Sequence, residues 1–431
     1  MAREMKDSGV EWIGEIGINF HIVKLKHVST ILDQFRKPVT ADQRNQEGET
    51  LYDYYGASGI IDKINGYTID DHVMLIGEDG ANLKMRNLPI MYEVNGKAWI
   101  NNHAHILKPK KGIDFYYLFF ALEAIDINPY ITGSAQPKLS QENMKNILRP
   151  VPNISIQKEI VRCIKSTCNE LDNILTKTRA SIEEYKKLKQ AIIMQAVTKG
   201  VRGDRELKDS GIEWVGEIPA DWEVSRLKSI AKDFSKGSGI TKEDIVITGD
   251  TPCVRYGEIY SKYNQSFTEC VTKTNREIIS PQKYFSYGDI LFACTGELVE
   301  EIGKSIVYLG DRECLAGGDI IILKHEQDPS FLNYAINSSY AQAQKSCGKT
   351  KLKVVHISAT DIGNIMIALP SISEQRTIAN YLDKICAIID LVTVKKAILL
   401  EELGNYKKSL IYEYVTGKKE VSMEFVESID N

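Results

Sequence analysis

The chain has 431 residues, 43% of them hydrophobic and 26% charged, with 54 Lys and Arg against 58 Asp and Glu and a formal net charge of −4. That length predicts two to four domains at about 100–200 residues each, and the balance excludes a disordered, collagenous or bulk-cationic chain. No apolar run reaches the ~18 residues of a membrane span, the charged stretch Met1–Gly14 has no signal-peptide core, and eight scattered cysteines without a C-x-x-C read as reduced thiols of a cytoplasmic protein.

The first recognisable element is a leader at 6–28, KDSGVEWIGEIGINFHIVKLKHV, which returns 202 residues later at 208–230 as KDSGIEWVGEIPADWEVSRLKSI. A variable block follows at 29–150. Next comes a long segment, 152–198, which opens PNISIQKEIVRCI and returns without a gap 218 residues later at 370–416 as PSISEQRTIANYL. Pro152/Pro370, Gln157/Gln375, Ile160/Ile378, Asp172/Asp390 and Val197-Thr198/Val415-Thr416 match in register. The second variable block, 231–368, shares only a skeleton with the first: an apolar run closing on a glycine turn (VMLIGEDG, ILFACTG), a β-like stretch (AHILK, IIILK), an aromatic helix (FYYLFFALEA, FLNYAINSSY) and a Gly/Lys loop (TGSAQPKLS, SCGKTKLKVVHIS). The predicted order is a domain at 1–150, a helix at 151–200, a second domain at 201–368, a helix at 369–420 and a tail at 421–431, an internal pseudo-twofold repeat.

Both long segments carry coiled-coil spacing. In the second, Ile378, Leu382, Ile385, Ile389, Val392, Leu399, Leu403, Tyr406 and Leu410 follow a 4-3 rhythm, with Lys396 at the one polar position; in the first the seam reads Ile160, Ile164, Leu171, Ile174, Tyr185, Leu188 and Ile192, interrupted by Thr167, Thr178 and Ser181. Ser155 and Ser373 are candidate N-caps, and Gly200 and Gly417 mark the ends. Two matched seams are most economically explained by the helices pairing antiparallel with each other.

Signatures of catalysis fail on inspection. Asn128-Pro129-Tyr130 lacks the second proline of an amino-methyltransferase loop, and no glycine-rich cofactor loop accompanies it. Gly303-Lys304-Ser305 and Gly348-Lys349-Thr350 lack the glycine five positions upstream that a P-loop needs. His103-x-His105 finds no further metal ligands nearby in sequence, so the pair reads as structural. The chain reads as non-catalytic.

Two variable blocks alternating with two glutamine-headed helices, under a duplicated KDSGxEWxGEI leader, resemble the specificity subunit of a type I restriction–modification system. The resemblance covers essentially the whole chain, with Gly17 standing where the second leader has Pro219. It implies an α+β fold: two similar α/β target-recognition domains separated by two long antiparallel coiled-coil helices. Each domain would read one half of a bipartite, asymmetric sequence in double-stranded DNA. The helices would act as a ruler and dock two modification (methyltransferase) subunits, with restriction/translocase subunits in the full complex. S-adenosylmethionine, ATP and Mg2+ would belong to those partners and none to this chain, in a bacterial or archaeal cytoplasm without membrane contact. Asp172–Thr198 would span about 40 Å as a helix, close to one DNA turn of about 34–36 Å.

Readout needs Arg, Lys, Asn and Gln at groove edges, with phosphate contacts setting register. The candidates are Arg36, Lys37, Tyr54, Tyr55, Lys84, Arg86, Gln136 and Lys138 in the first block, and Arg255, Tyr256, Lys304, Lys349, Thr350, Lys351 and Lys353 in the second. Each block carries a net charge of about −2, so acidic faces should point away from DNA and partner subunits should complete an electropositive clamp. The competing classes are a coiled-coil scaffold with two interaction domains and no DNA readout, and an enzyme with an unfamiliar active site.

Overall fold

The computed structural model describes residues 4–44, 50–213, 215–296, 298–348 and 355–421. The chain forms two compact units, one made of residues 1–179 and 398–431, the other of 180–397. Each long helix starts in one unit and ends in the other: Ile154–Lys199 has 46 residues and Ile372–Thr416 has 45, about 69 and 68 Å of helix at 1.5 Å per residue.

In the first unit the leader folds as a hairpin, Met5–Asp7 against Glu15–Gly17, and His21–Lys24 pairs with Leu148–Val151. The block between them is a six-stranded sheet ordered Ser29–Ile31, Ala104–Pro109, Ile69–Gly77, Met91–Ile100, Leu51–Gly56, Gly59–Asn65, antiparallel except where Leu51–Gly56 joins Met91–Ile100. The second unit repeats the leader hairpin, Leu207–Asp209 with Glu217–Pro219, and the frame pair, Glu223–Arg226 with Met366–Leu369. Its main sheet runs Ala231–Lys236, Ile320–His325, Ile290–Ala293, Ser305–Tyr308, Ser266–Phe267, with the last pair again parallel. Two blocks with little shared sequence therefore keep one strand order and one set of directions. The second adds a four-stranded sheet around Thr251–Val254 and Cys314–Ala316.

The aromatic helix of each block, Phe115–Ala124 or Pro329–Asn337, begins at an aspartate whose carboxylate accepts a backbone N–H one turn on: Asp114 from Tyr117, Asp328 from Phe331. The two frames diverge at matched sites. Trp222 is buried and donates its indole N–H to Glu374 at 3.2 Å, with Arg205 pairing to the same carboxylate. At the corresponding places the first unit has Phe20, which has no N–H, and Ile156, which has no acceptor, so an indole and its acceptor are exchanged together for two apolar groups. Arg149 is fully buried with no acceptor for its guanidinium among the described residues, where the second unit buries Ile367.

The helices pair antiparallel in both units, but four of the expected seam positions move by one residue. In the first unit Asp172 accepts an ion pair from Lys407 at 2.6 Å, and in the second Lys189 reaches Asp390 at 2.7 Å. A shift of 218 carries Asp172 to Asp390 and Lys189 to Lys407, so the two pairs are copies. Ile164, Leu171, Leu382, Ile389 and Leu410 are buried, and Ile192 and Leu403 half-buried, as seam positions should be. Ile174 and Leu188 are not seam residues: they stand 47% and 48% exposed. Leu175 and Lys189 occupy those turns, the lysine laying its stem along the partner helix and its ammonium on Asp390. The same slip places Leu399 and Tyr406 outside, with Leu400 and Lys407 turned inward. The N-caps also lie two residues earlier than Ser155 and Ser373: Asn153 accepts the N–H of Ile156, and Ser371 that of Glu374.

The seam assignment is testable by a neighbouring pair. Leu175→Asp should cost about 3 kcal/mol or more, because it buries a carboxylate, whereas Ile174→Asp should stay within about 0.5 kcal/mol of wild type. Equal effects in denaturant unfolding would place the seam elsewhere.

Lys345, on the helix Ser339–Ser346, is buried with its ammonium on the carbonyl of Gly303 at 2.8 Å, and burial pushes its pKa down to about 7. The unfolded chain holds that proton to about pH 10. Between those values unfolding takes up a proton, so the charge costs the folded state most at low pH. Lys345→Met should raise the unfolding midpoint below about pH 7, and the gain should shrink towards pH 10. Melting curves of both proteins across that range check this; a gain independent of pH would contradict it.

Candidate nucleic-acid interface

Two candidates of the first block, Arg36 and Lys138, meet at one carboxylate near the end of the edge strand Ser29–Ile31. Beyond it, Arg36 donates to the carbonyls of Asn102 and Ala104 and pairs with Glu78 and with Asp33. Lys138 reaches the same Glu78 at 3.1 Å. Burial alone would raise the Glu78 carboxyl, but the Arg36 and Lys138 hydrogen bonds overcome this and hold it below the usual carboxylate range. His105 is buried between Asp33 at 2.7 Å and the Leu139 carbonyl at 2.8 Å, while His103 bonds Asp79. The two imidazoles serve separate carboxylates. Lys37 stacks its ammonium over Trp99 at 5.6 Å, Lys84 donates to the Gly133 carbonyl at 3.3 Å, and Gln136 is exposed. Lys37, Lys84, Gln136 and Lys138 are thus exposed on the surface of this block, Lys84 on the short helix Asn82–Met85, whereas Arg36 is drawn into an internal ion-pair network.

Three candidates are structural. Tyr54 and Tyr55 are buried, so neither can meet a DNA groove in this state; their strand, Leu51–Gly56, lies inside the sheet between two others. Arg86 turns inward and donates to the carbonyls of Glu123 and Ile125 at the end of the aromatic helix, and burial lowers its pKa. It serves as a cationic cap for that helix end.

The second block opens a cleft of 1010 Å³ at the corresponding end of its sheet, lined among others by Lys236, Lys242, Arg255, Tyr256 and Lys262. The edge strand Ala231–Lys236 runs into Gly237 and Ser238, whose N–H groups bond the carbonyls of Ile320 and Ala316. A Cβ on Gly237 would lie 2.0 Å from the Gly317 carbonyl, so only glycine allows these two backbones to form the floor. Arg255 is held by Glu258, which accepts its Nη2–H at 3.2 Å and its backbone N–H at 3.0 Å. Lys304 is elsewhere, half-buried over the Tyr260 ring beside a 470 Å³ cavity lined by Gln190, Gln265, Asn337 and Gln342, and burial lowers its pKa. Lys349, Thr350, Lys351 and Lys353 lie outside the described residues.

The structure therefore brings Arg255 and Tyr256 together with three lysines that the sequence reading passed over: Lys236, Lys242 and Lys262. A signal for the first was present in Lys236-Gly-Ser-Gly239, a basic residue followed by glycines at a strand end. Among the described residues no group of three or more His, Cys, Asp or Glu could hold a metal ion, and no helix is long and apolar enough to cross a membrane.

Comparison with known proteins converges on one family. The model of the type I restriction modification DNA specificity domain matches residues 18–184 and 219–402. A putative type I restriction enzyme specificity subunit from Haemophilus influenzae is 25% identical over 380 residues, 88% of this chain and 90% of that one. The MjaVIII specificity subunit of a type I restriction enzyme from Methanocaldococcus jannaschii is 26% identical over 316 residues, 72% of this chain and 71% of its own. Among solved structures, a chain from a study of complex assembly and conformational transition in a type I R-M system superposes with a TM-score of 0.70 at 16% identity, covering 94% of this chain and 99% of that one. The HsdS subunit of Thermoanaerobacter tengcongensis gives a TM-score of 0.52 at 16% identity over 94% and 98%. These two share the fold, and the family model accounts for most of both halves of the sequence: the chain belongs to the type I restriction modification DNA specificity family.

Proposed function

We propose that this chain is the specificity subunit of a type I restriction–modification enzyme, each recognition domain reading one half of a bipartite, asymmetric target in double-stranded DNA. The observation that carries this reading is the combination of one repeated frame with two different surfaces. Leader, strand order and helix recur, while the exposed candidate contact residues differ: Lys37, Lys84, Gln136 and Lys138 in one block, and Lys236, Lys242, Arg255, Tyr256 and Lys262 around a cleft in the other. A pair of domains built to read two sequences needs this division between fixed scaffold and variable contacts.

In this reading the long helices set the distance between the half-sites and dock two modification subunits, with restriction/translocase subunits joining the full assembly in the cytoplasm of a bacterium or archaeon. The chain supplies recognition and no catalytic residue; S-adenosylmethionine, ATP and Mg2+ sit on the partners. One docking surface is suggested by Tyr381, Ile388, Leu391 and Val394, which form an exposed stripe along the second helix. An apolar stripe left uncovered on a helix fits a modification subunit as its occupant.

Replacing residues 29–150 with the corresponding block of another specificity subunit should change one half of the methylated sequence and leave the other half intact. Methylome sequencing reads this out; a change in both halves, or no sequence preference in the reconstituted complex, would contradict the proposal. Leu391→Asp, on the exposed stripe, should reduce co-purification with the modification subunits about tenfold or more, as expected when a hot-spot contact is lost, with the unfolding midpoint unchanged. Normal co-purification would move the docking surface elsewhere.

A further inference from the structure

We infer, resting on that reading of the second domain, that its cleft is where it reads a base pair: Arg255 recognises a guanine edge there, and Lys236, Lys242 and Lys262 hold the phosphates on either side. The charges lining the cleft support this division. All three lysines are exposed and none is ion-paired among the described residues. Of the two acids in the lining, Glu258 is buried and already occupied by Arg255, with the Thr272 hydroxyl 3.0 Å away, and Asp319 stands exposed. What faces an incoming ligand is therefore cationic on balance, three exposed lysines against the one exposed carboxylate of Asp319, as a polyanionic backbone requires.

Arg255 differs from the lysines in being held in place. Its backbone N–H and Nη2 are fixed by the same carboxylate and Nε is buried without an acceptor among the described residues, so the donors left for a ligand are on Nη1 and the second Nη2 hydrogen. A planar group clamped on one side and still holding unused donors is suited to the paired acceptors O6 and N7 of guanine in the major groove. A phosphate would need no such orientation. Glu258 is then a positioning residue, acting through Arg255. The walls leave room for a duplex edge to approach: a Cβ added at Gly239 or Gly257 would meet nothing within 4 Å. Tyr256, exposed beside Gly257, offers a flat apolar surface next to the reader.

The test uses the full chain reconstituted with its modification subunits, with binding and methylation measured on the wild-type target and on every single-base variant of it. Arg255→Ala should weaken cognate binding by about ten- to a hundredfold, and lose discrimination at one G·C pair of the half-site read by the second domain. It should bind DNA already lacking that guanine as well as wild type does. Glu258→Gln should relax the same pair and no other. Lys242→Ala and Lys262→Ala should weaken cognate and non-cognate DNA alike, each making the salt dependence shallower by about one unit. Gly257→Trp, which fills the cleft from a position with open space, should abolish methylation without lowering the unfolding midpoint. Arg255→Ala with discrimination intact at every position overturns the assignment, as does a uniform loss on all sequences, which would make Arg255 a phosphate contact, or normal methylation by Gly257→Trp. A wild-type complex with no sequence preference at all would instead overturn the recognition reading, and this assignment with it.

Discussion

A buried side-chain amide joins each recognition domain to its long helix. Gln157 and Gln375 are almost fully buried. Each amide oxygen accepts a backbone N–H from the aspartate that begins the aromatic helix, Asp114 at 2.8 Å or Asp328 at 2.9 Å. Each amide nitrogen donates to the proline carbonyl just before the long helix, Pro152 at 2.8 Å or Pro370 at 2.9 Å. Both aspartates in turn cap the aromatic helix, so one side chain ties the entry of the long helix to the first turn of the helix that covers the sheet. Removing it would strand a buried donor and a buried acceptor, at about 1–3 kcal/mol apiece. Because the geometry is repeated, each domain is seated on its helix in the same way whatever its surface residues are, which is the condition for varying those residues freely.

The repeated frame was legible in the sequence because it consists of local signals: the leader, the proline–glutamine helix start, the glycine stop and the apolar periodicity. The strand skeleton was legible too, since VMLIGEDG and ILFACTG became corresponding strands of the two sheets. The seam was legible only in part. At Ile174–Leu175 both neighbours are apolar and at Leu188–Lys189 the inward residue is the lysine, so apolar spacing alone chose the wrong neighbour at both. The burial of a lysine stem depended on Asp390, some 200 residues away, which spacing along one helix could not reveal.

The contact residues were less legible still, for a related reason. Whether an arginine reads DNA or braces its own domain depends on which acceptors the fold brings to it. Arg36 meets Glu78, and Arg86 meets two carbonyls at the end of the aromatic helix, both partners distant in sequence. Acids that make each block slightly negative in composition are in part absorbed this way: Asp33, Glu78 and Glu258 all face cations or ring N–H groups inside their domains. Net charge therefore understated the basic character of the surface around Lys236 and Lys242.

The first unit is assembled from the two ends of the described chain, and this has a consequence for how the protein is made. The Tyr412 hydroxyl donates to the Ile13 carbonyl at 2.9 Å, Lys418 reaches the same oxygen at 3.1 Å, and the Tyr117 hydroxyl lies 3.0 Å from the Val415 carbonyl oxygen. The second unit, 180–397, is one continuous stretch. On a ribosome adding about 5–20 residues per second, the domain that emerges first must wait roughly ten to forty seconds, while the whole of the second unit is synthesised, before its last helix arrives. Through that interval the apolar face of Ile164, Cys168 and Leu171 has no covering helix from its own unit. Of the two units, the one begun first is completed last, and its apolar helix face is the one left open longest during synthesis.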